Sequence, residues 1–289
     1  VRDFFPVEES ARIFSILILI LGVSPLLAPT FGGFITTTLG WQSIFLILGG
    51  LTVLLLIVVF IYLPEGHQPD PTISLQPKPI IENFLSILQN AQFNTYAFAG
   101  AFSFATLFIY VAGSPIIFME IHHVDPKTYG GIFALLSVGF IGSSQLNILV
   151  TKKYSSDKIF RVAMFCQVIA GIVFFLGVWT NSFGLYSTIA MFFICLSCIG
   201  YINPNANALA LAPFTRTIGS ASALMGCTQI GIAALSSFGV GLFNSTDAIP
   251  IVTLMVLTSS VALLILLFGQ KRIGKEVVLA NASAENAAH

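Results

Sequence analysis

Long apolar runs separated by short polar joints dominate this chain. Eight reach membrane-spanning length: residues 13–35, 43–63, 94–117, 129–150, 162–180, 185–210, 218–243 and 248–269. A helix needs about 20 mostly apolar residues to cross the hydrocarbon of a bilayer. Backbone polar groups in lipid must be bonded within their own segment, so each run is expected to be a helix. A membrane barrel would instead show strands of about 10 residues with alternating polarity. The runs here are continuously apolar, and the expected fold class is an all-α polytopic membrane protein.

Most joints are short; the exception is 64–93. It holds Pro64, Pro69, Pro71, Pro77 and Pro79, which block helix and favour extended chain. Beyond them Ile81, Phe84, Leu85 and Leu88 keep i, i+3, i+4, i+7 spacing, the pattern of a short amphipathic helix lying on a membrane surface. This joint is expected to link two bundles. Residues 1–63 then carry the last two spans of a first half, 94–270 a six-span second half, and 271–289 a polar tail. Six spans make one complete half of a transporter built from two six-helix halves.

Composition and charge narrow the class further. Hydrophobic residues make up 56% of the chain and charged residues 8%, with a mean hydropathy of +0.93. Soluble domains carry about 25% charged residues. A soluble enzyme, a nucleic-acid binder and a disordered chain are therefore excluded. None of the 24 charged residues falls in the eight runs. Of the 12 Lys and Arg, 11 lie in the joints and ends on one side, and only Lys127 lies on the other. By the positive-inside rule both ends are expected to be cytoplasmic. Val1 is not an initiator methionine, and the chain is expected to lack its N-terminal part.

Polar groups within the runs are the functional candidates, because burying them in a membrane is costly. Asn203, Pro204, Asn205 and Asn207 cluster in the sixth run. Pro204 leaves the carbonyl of Gly200 without its helical donor, so Pro204 and Asn205 are expected to mark a kink. Asn203 and Asn207, four apart, share a face and are candidates to line a substrate cavity. So is Gln229, about 16 Å along its helix at a rise of about 1.5 Å per residue. Thr106 and Tyr110 share a face near the middle of the third run and complete the candidates. Each has a plainer reading as interhelical packing. Gln145 and Asn147 lie nearer the end of their run, where gating or packing is the better reading. Gly231, Ala233, Ala234, Ser236, Ser237 and Gly241 give the seventh run a smooth face, suited to a neighbouring helix that slides or packs closely. Cys195 and Cys198 have no basic neighbour to form thiolate and no nearby His, so no metal site is expected. The histidines lie outside the runs, and no nucleotide-binding loop is present.

Residues 24–33 read Ser24, Pro25, Ala28, Pro29, Gly32 and Gly33 at the spacing of a named motif. They resemble the antiporter motif G-x-x-x-G-P-x-x-G-G of the major facilitator superfamily, with Ser24 and Ala28 in place of two glycines. The resemblance continues along the chain. Val1-Arg2-Asp3 looks like the end of a fourth helix, and Tyr110, Ser114, Pro115 and Glu120 like the end of a seventh. Pro204-Asn205-Ala206, Ala212-Pro213-Phe214 and Gly219-Ser220-Ala221 resemble the tenth and eleventh. Together they are similar to the bicyclomycin/chloramphenicol-resistance branch. The resemblance implies twelve helices, eight of them present here, in a monomer in the bacterial inner membrane. It implies efflux of small-molecule drugs driven by inward proton flow, with no cofactor beyond the proton.

Proton coupling needs a titratable group in the transport path, yet the eight runs contain no Asp, Glu, Lys, Arg or His. The coupling acid is therefore expected in the absent helices. These 289 residues alone are not expected to perform antiport. An exporter of amino acids or another metabolite on the same scaffold is the competing transporter reading. A nonconducting membrane interaction protein is the competing class.

Overall fold

A computed structural model describes residues 31–32, 34–36, 38–62, 77–214, 217–243 and 247–273. Among them every regular element is helical, and seven helices are long and apolar enough to cross a membrane. The expected run at 13–35 lies almost wholly outside the described residues. The chain divides into two compact units, 1–74 and 75–289.

In the first unit α1 spans Gln42–Tyr62 and has no buried residue. A helix apolar on every side suits hydrocarbon. In the second unit α2 spans Pro77–Leu88. Pro77 and Pro79 were expected to precede the helix and instead form its first turn, where a missing N–H costs no bond. Phe84, Ile87 and Leu88 pack into the bundle, Asn83 Nδ2 donates to Ser220 Oγ at 2.9 Å, and Ile81 and Leu85 remain exposed. The helix is thus fastened to the bundle by one face only.

Six long helices follow. α3 spans Ala91–Pro115 and widens into a π-turn over Ile116–Ile121. Asn90 caps it, accepting the Phe93 N–H at 2.9 Å. α4 spans Pro126–Val150, with Asp125 accepting the N–H groups of Lys127 and Thr128 and Pro126 in the first turn, a strong helix start. α5 spans Ser156–Trp179, α6 Leu185–Leu211, α7 Ile218–Leu242 and α8 Ala248–Ile273. Asn181, at φ 51°, turns the chain after α5.

α3 is the hub: it packs against α6, α7 and α8. α5 closes the side between α6 and α8, and α4 lies along α6. In lipid, helix association depends on close packing rather than on hydrophobic exclusion. Glycines provide it. A Cβ on Gly100 would lie 2.6 Å from that of Ala206, and one on Gly269 would lie 2.1 Å from Thr95 Oγ1. The apolar core forms two clusters. One, around Tyr110, Phe118, Phe174 and Phe192, lies toward the end that holds the 122–125 turn. The other, around Phe93, Tyr96, Phe160 and Leu266, lies toward the end with Lys158, Arg161, Lys271 and Arg272, the basic end. α7 fully buries only Ala221, Met225, Ala233 and Val240, a single stripe flanked by half-buried residues such as Leu224 and Gln229, and its opposite side is exposed within this unit.

Candidate functional site

Polar side chains form separate bonds between the six helices rather than one continuous network. At the basic end Asp157 Oδ1 accepts from Tyr96 Oη at 2.7 Å and from Gln270 Nε2 at 3.1 Å, and Oδ2 pairs with Arg161. One carboxylate thus joins α3, α5 and α8. Asp157 falls outside the apolar run that begins at 162 but inside the helix that begins at Ser156. An acidic residue in a first turn is the signal that extends the helix back to it.

Deeper in the bundle Ser103 Oγ donates to Gln167 Oε1 at 2.6 Å, and Gln167 Nε2 reaches Thr106 Oγ1 at 3.4 Å. Thr106 lies 3.5 Å from Thr258. All four are buried. Thr106 therefore points between α5 and α8. Gln167 was not among the sequence candidates, although it is the only amide in its run. Tyr110 is also buried: its ring stacks on Phe133, with centroids 5.7 Å apart, and touches Phe192 at 5.1 Å. Thr106 and Tyr110 are thus turned toward different helices.

The amides of α6 point two ways. Asn205 Nδ2 donates to Asn147 Oδ1 at 2.7 Å and to the Tyr201 carbonyl at 2.8 Å, and Asn205 is fully buried against α4. Hydrogen-bonded helix continues through Pro204. Gly200, whose carbonyl loses its donor there, lies so close to α4 that a Cβ would sit 2.0 Å from Ser143 Oγ and 2.4 Å from the Phe140 carbonyl.

Asn203 turns the opposite way. Gln229 Nε2 donates to Asn203 Oδ1 at 2.8 Å, bridging α6 and α7, and both residues are half-buried. Asn207, one turn beyond Asn203, is half-buried and has no hydrogen bond among the described residues. Asn203 and Gln229 are thus brought together across the α6–α7 seam, Asn207 lies one turn further along α6, and Thr106 and Tyr110 are turned elsewhere. Gly32, the one described position of the 24–33 motif, has nothing within 4 Å of a notional Cβ. Ser24, Pro25, Ala28, Pro29 and Gly33 lie outside the described residues.

At the far end His122 Nε2 lies 3.4 Å from Thr188 Oγ1. Burial, with His123 beside it, lowers its pKa below the ordinary value. Bonds from Thr128 and Lys127 hold the Asp125 carboxyl low. Among the described residues no group of three His, Cys, Asp or Glu could hold a metal.

A hub-and-flank bundle of apolar helices with neutral amides on a half-open seam defines a polytopic membrane protein. Comparison with known proteins makes the class specific. The family profile of the Major Facilitator Superfamily matches residues 1–237, and the chain belongs to that family, one of transporters rather than enzymes. It is 28% identical over 260 residues to a bicyclomycin resistance protein homolog of Haemophilus influenzae, covering 88% of this chain and 64% of that protein. It is 28% identical to an MFS-type transporter of Bacillus subtilis, covering 90% of this chain and 64% of that one. It is 26% identical to the multidrug resistance protein MdtL of an Escherichia coli strain, covering 92% and 66%. The chain thus spans slightly less than two thirds of the length of these relatives.

Proposed function

We propose that the protein is a secondary active transporter of the bacterial inner membrane, exporting drugs or other small lipophilic molecules by alternating access in exchange for inward-moving protons. The half-buried Asn203–Gln229 bridge carries this reading. It places two neutral amides about 12 Å and 16 Å from the basic end of their helices, by helical rise, where transporter sites cluster. Neutral amides beside apolar helices suit a lipophilic solute with a few hydrogen-bonding groups and offer nothing to a strongly ionic one. The names of the relatives support the substrate class. The exposed small residues of α7, Gly231, Ala234 and Gly241, support a moving partner. The basic end is taken as cytoplasmic.

No charged group lies near mid-depth among the described residues of the six-helix unit, so the coupling acid is assigned to a segment outside that unit. Asp157, tied to Arg161 at the basic end, serves as a clamp between helices.

The test uses the protein expressed from its complete reading frame in a drug-hypersensitive bacterium. Resistance should rise against several lipophilic antibiotics and fall at least several-fold in Gln229→Ala and Asn203→Ala at equal expression. In energised inside-out vesicles the same drugs should release luminal protons. Resistance unchanged in both variants would remove the site, and drug movement without proton release would remove the coupling.

A further inference from the structure

The Asn203–Gln229 bridge is a half-used amide pair. Gln229 Nε2 donates to Asn203 Oδ1 at 2.8 Å. Each carboxamide brings an NH2 donor and a carbonyl acceptor, so this single bond leaves Asn203 Nδ2 and Gln229 Oε1 over. Neither has another partner among the described residues. Turning both amides round exchanges the two roles and leaves the same set, one donor and one acceptor. The unpaired polar side-chain atoms that are enclosed among the described residues are Asn94 Oδ1 and Tyr110 Oη. The free atoms of the bridge are not among these, and both residues are half-exposed. The leftover donor and acceptor therefore reach the open side of the α6–α7 seam.

The surroundings suit a neutral solute. No charged residue lies within four positions of Asn203 or Gln229 on either helix. Gly226, one turn before Gln229, is exposed, and a Cβ there would meet nothing within 4 Å, so space is open beside the amides. The bridge also holds both side chains in place before a ligand arrives, which removes part of the ordering cost of binding.

We propose that this edge recognises cyclic secondary amides, the lactams. A small ring forces the amide to be cis, so its N–H and C=O point to the same edge. The solute's N–H then donates to Gln229 Oε1 while its carbonyl accepts from Asn203 Nδ2. An open-chain secondary amide is trans and points the two groups apart, so it satisfies only one partner. A lactone or an N-methylated lactam has no donor for the acceptor of the bridge. This names a substrate class for the proposed transporter and rests on that reading for the seam being a solute's path.

Ligand-observed NMR titration of the complete protein in detergent, corrected for protein-free micelles, tests it with flat bicyclic probes of similar size: carbostyril, which carries the lactam N–H, N-methylcarbostyril, and the lactone coumarin. Carbostyril should bind about three- to tenfold more tightly than either of the others, the range that one net hydrogen bond supplies at a half-exposed site. The double variant Asn203→Leu/Gln229→Met should bring all the probes to one affinity. Because that variant also removes a bond between helices, Gly226→Leu provides an independent one: it fills the open space, removes neither amide, and should weaken every probe. Equal binding of carbostyril and N-methylcarbostyril overturns the proposal, as does no binding of carbostyril or a preference that survives the double variant. Indifference to Gly226→Leu would place the ligand elsewhere and overturn the assignment to this edge. The readout separates this proposal from the transporter reading. Export that depends on Gln229 with no lactam preference removes the lactam edge alone, whereas lactam preference without any drug export removes the transporter reading and leaves the edge.

Discussion

The two faces of α6 carry the same chemistry and differ in what surrounds it. Toward α4, Gly200 lets two backbones nearly touch, and the Asn205–Asn147 bond at 2.7 Å is sealed between them. Toward α7, the Asn203–Gln229 bond at 2.8 Å spans a half-open seam, and a Cβ added at Gly226, one turn from Gln229, would meet nothing within 4 Å. Interhelical hydrogen bonds in membranes contribute about 0.6 kcal/mol on average, so energy alone does not separate the two pairs. Access does. Under the proposed function a solute would compete for the half-buried amides on the α7 face, whereas the buried Asn205–Asn147 pair holds α6 and α4 in register. Backbone separation thus decides whether an amide is sealed between helices or left half-exposed.

Substitutions can break this contrast directly. The largest effect is expected for Gly200→Ala, whose methyl would meet the Phe140 carbonyl and Ser143. Overpacking of this kind costs about 1–3 kcal/mol, and the melting temperature in detergent should drop accordingly. Asn205→Leu should cost about 1 kcal/mol, because Asn147 loses a buried partner. A double-mutant cycle with Asn147→Leu should recover a coupling of the same order. Gln229→Leu on the open face should cost only about 0.5 kcal/mol while lowering drug resistance. A stability loss there as large as that of Asn205→Leu would erase the distinction between the faces. Gly231→Ala should be neutral or stabilising by about 0.5 kcal/mol, since glycine is a poor helix residue and space is available.

Amides do not titrate, so neither face of α6 should respond to pH. His122, at the far end, should. Its folded pKa lies below the ordinary histidine value, so its neutral form is favoured by folding. The stability it supports is complete above the unfolded pKa and declines as pH falls from about 6.5 toward the folded value. His122→Gln should flatten that part of the pH–melting curve, and Asn205→Leu should leave it unchanged.

Most of the helical architecture was legible in the apolar pattern, because crossing hydrocarbon imposes both length and composition. Helix ends were less legible. The run at 162–180 stops short of Arg161, but the helix starts at Ser156 and carries Asp157 into the bundle. Hydropathy marks where hydrocarbon ends, and helices continue into the interface where charge is tolerated. Similarly Pro77 and Pro79 signal chain that cannot continue a helix, yet prolines are also good first-turn residues.

The candidate site was legible in part. Asn203 and Gln229 stood out as polar residues at depth, and so did Asn207. Thr106 and Tyr110 were equally prominent in sequence, but their faces are covered, by Gln167 and Thr258 for one and by Phe133 and Phe192 for the other. Periodicity reveals which residues share a face of one helix; it does not reveal which neighbour that face meets.

By itself the sequence determined that this chain lives in a membrane, how many times its apolar runs can cross, and that those runs carry neutral polar groups rather than charges. These follow from the cost of placing charge and unbonded backbone in lipid. Only the tertiary structure decided which amides are sealed between helices and which remain half-exposed. Those depend on how closely particular backbones approach, and that distance is set jointly by residues more than fifty positions apart, such as Gly200 and Ser143.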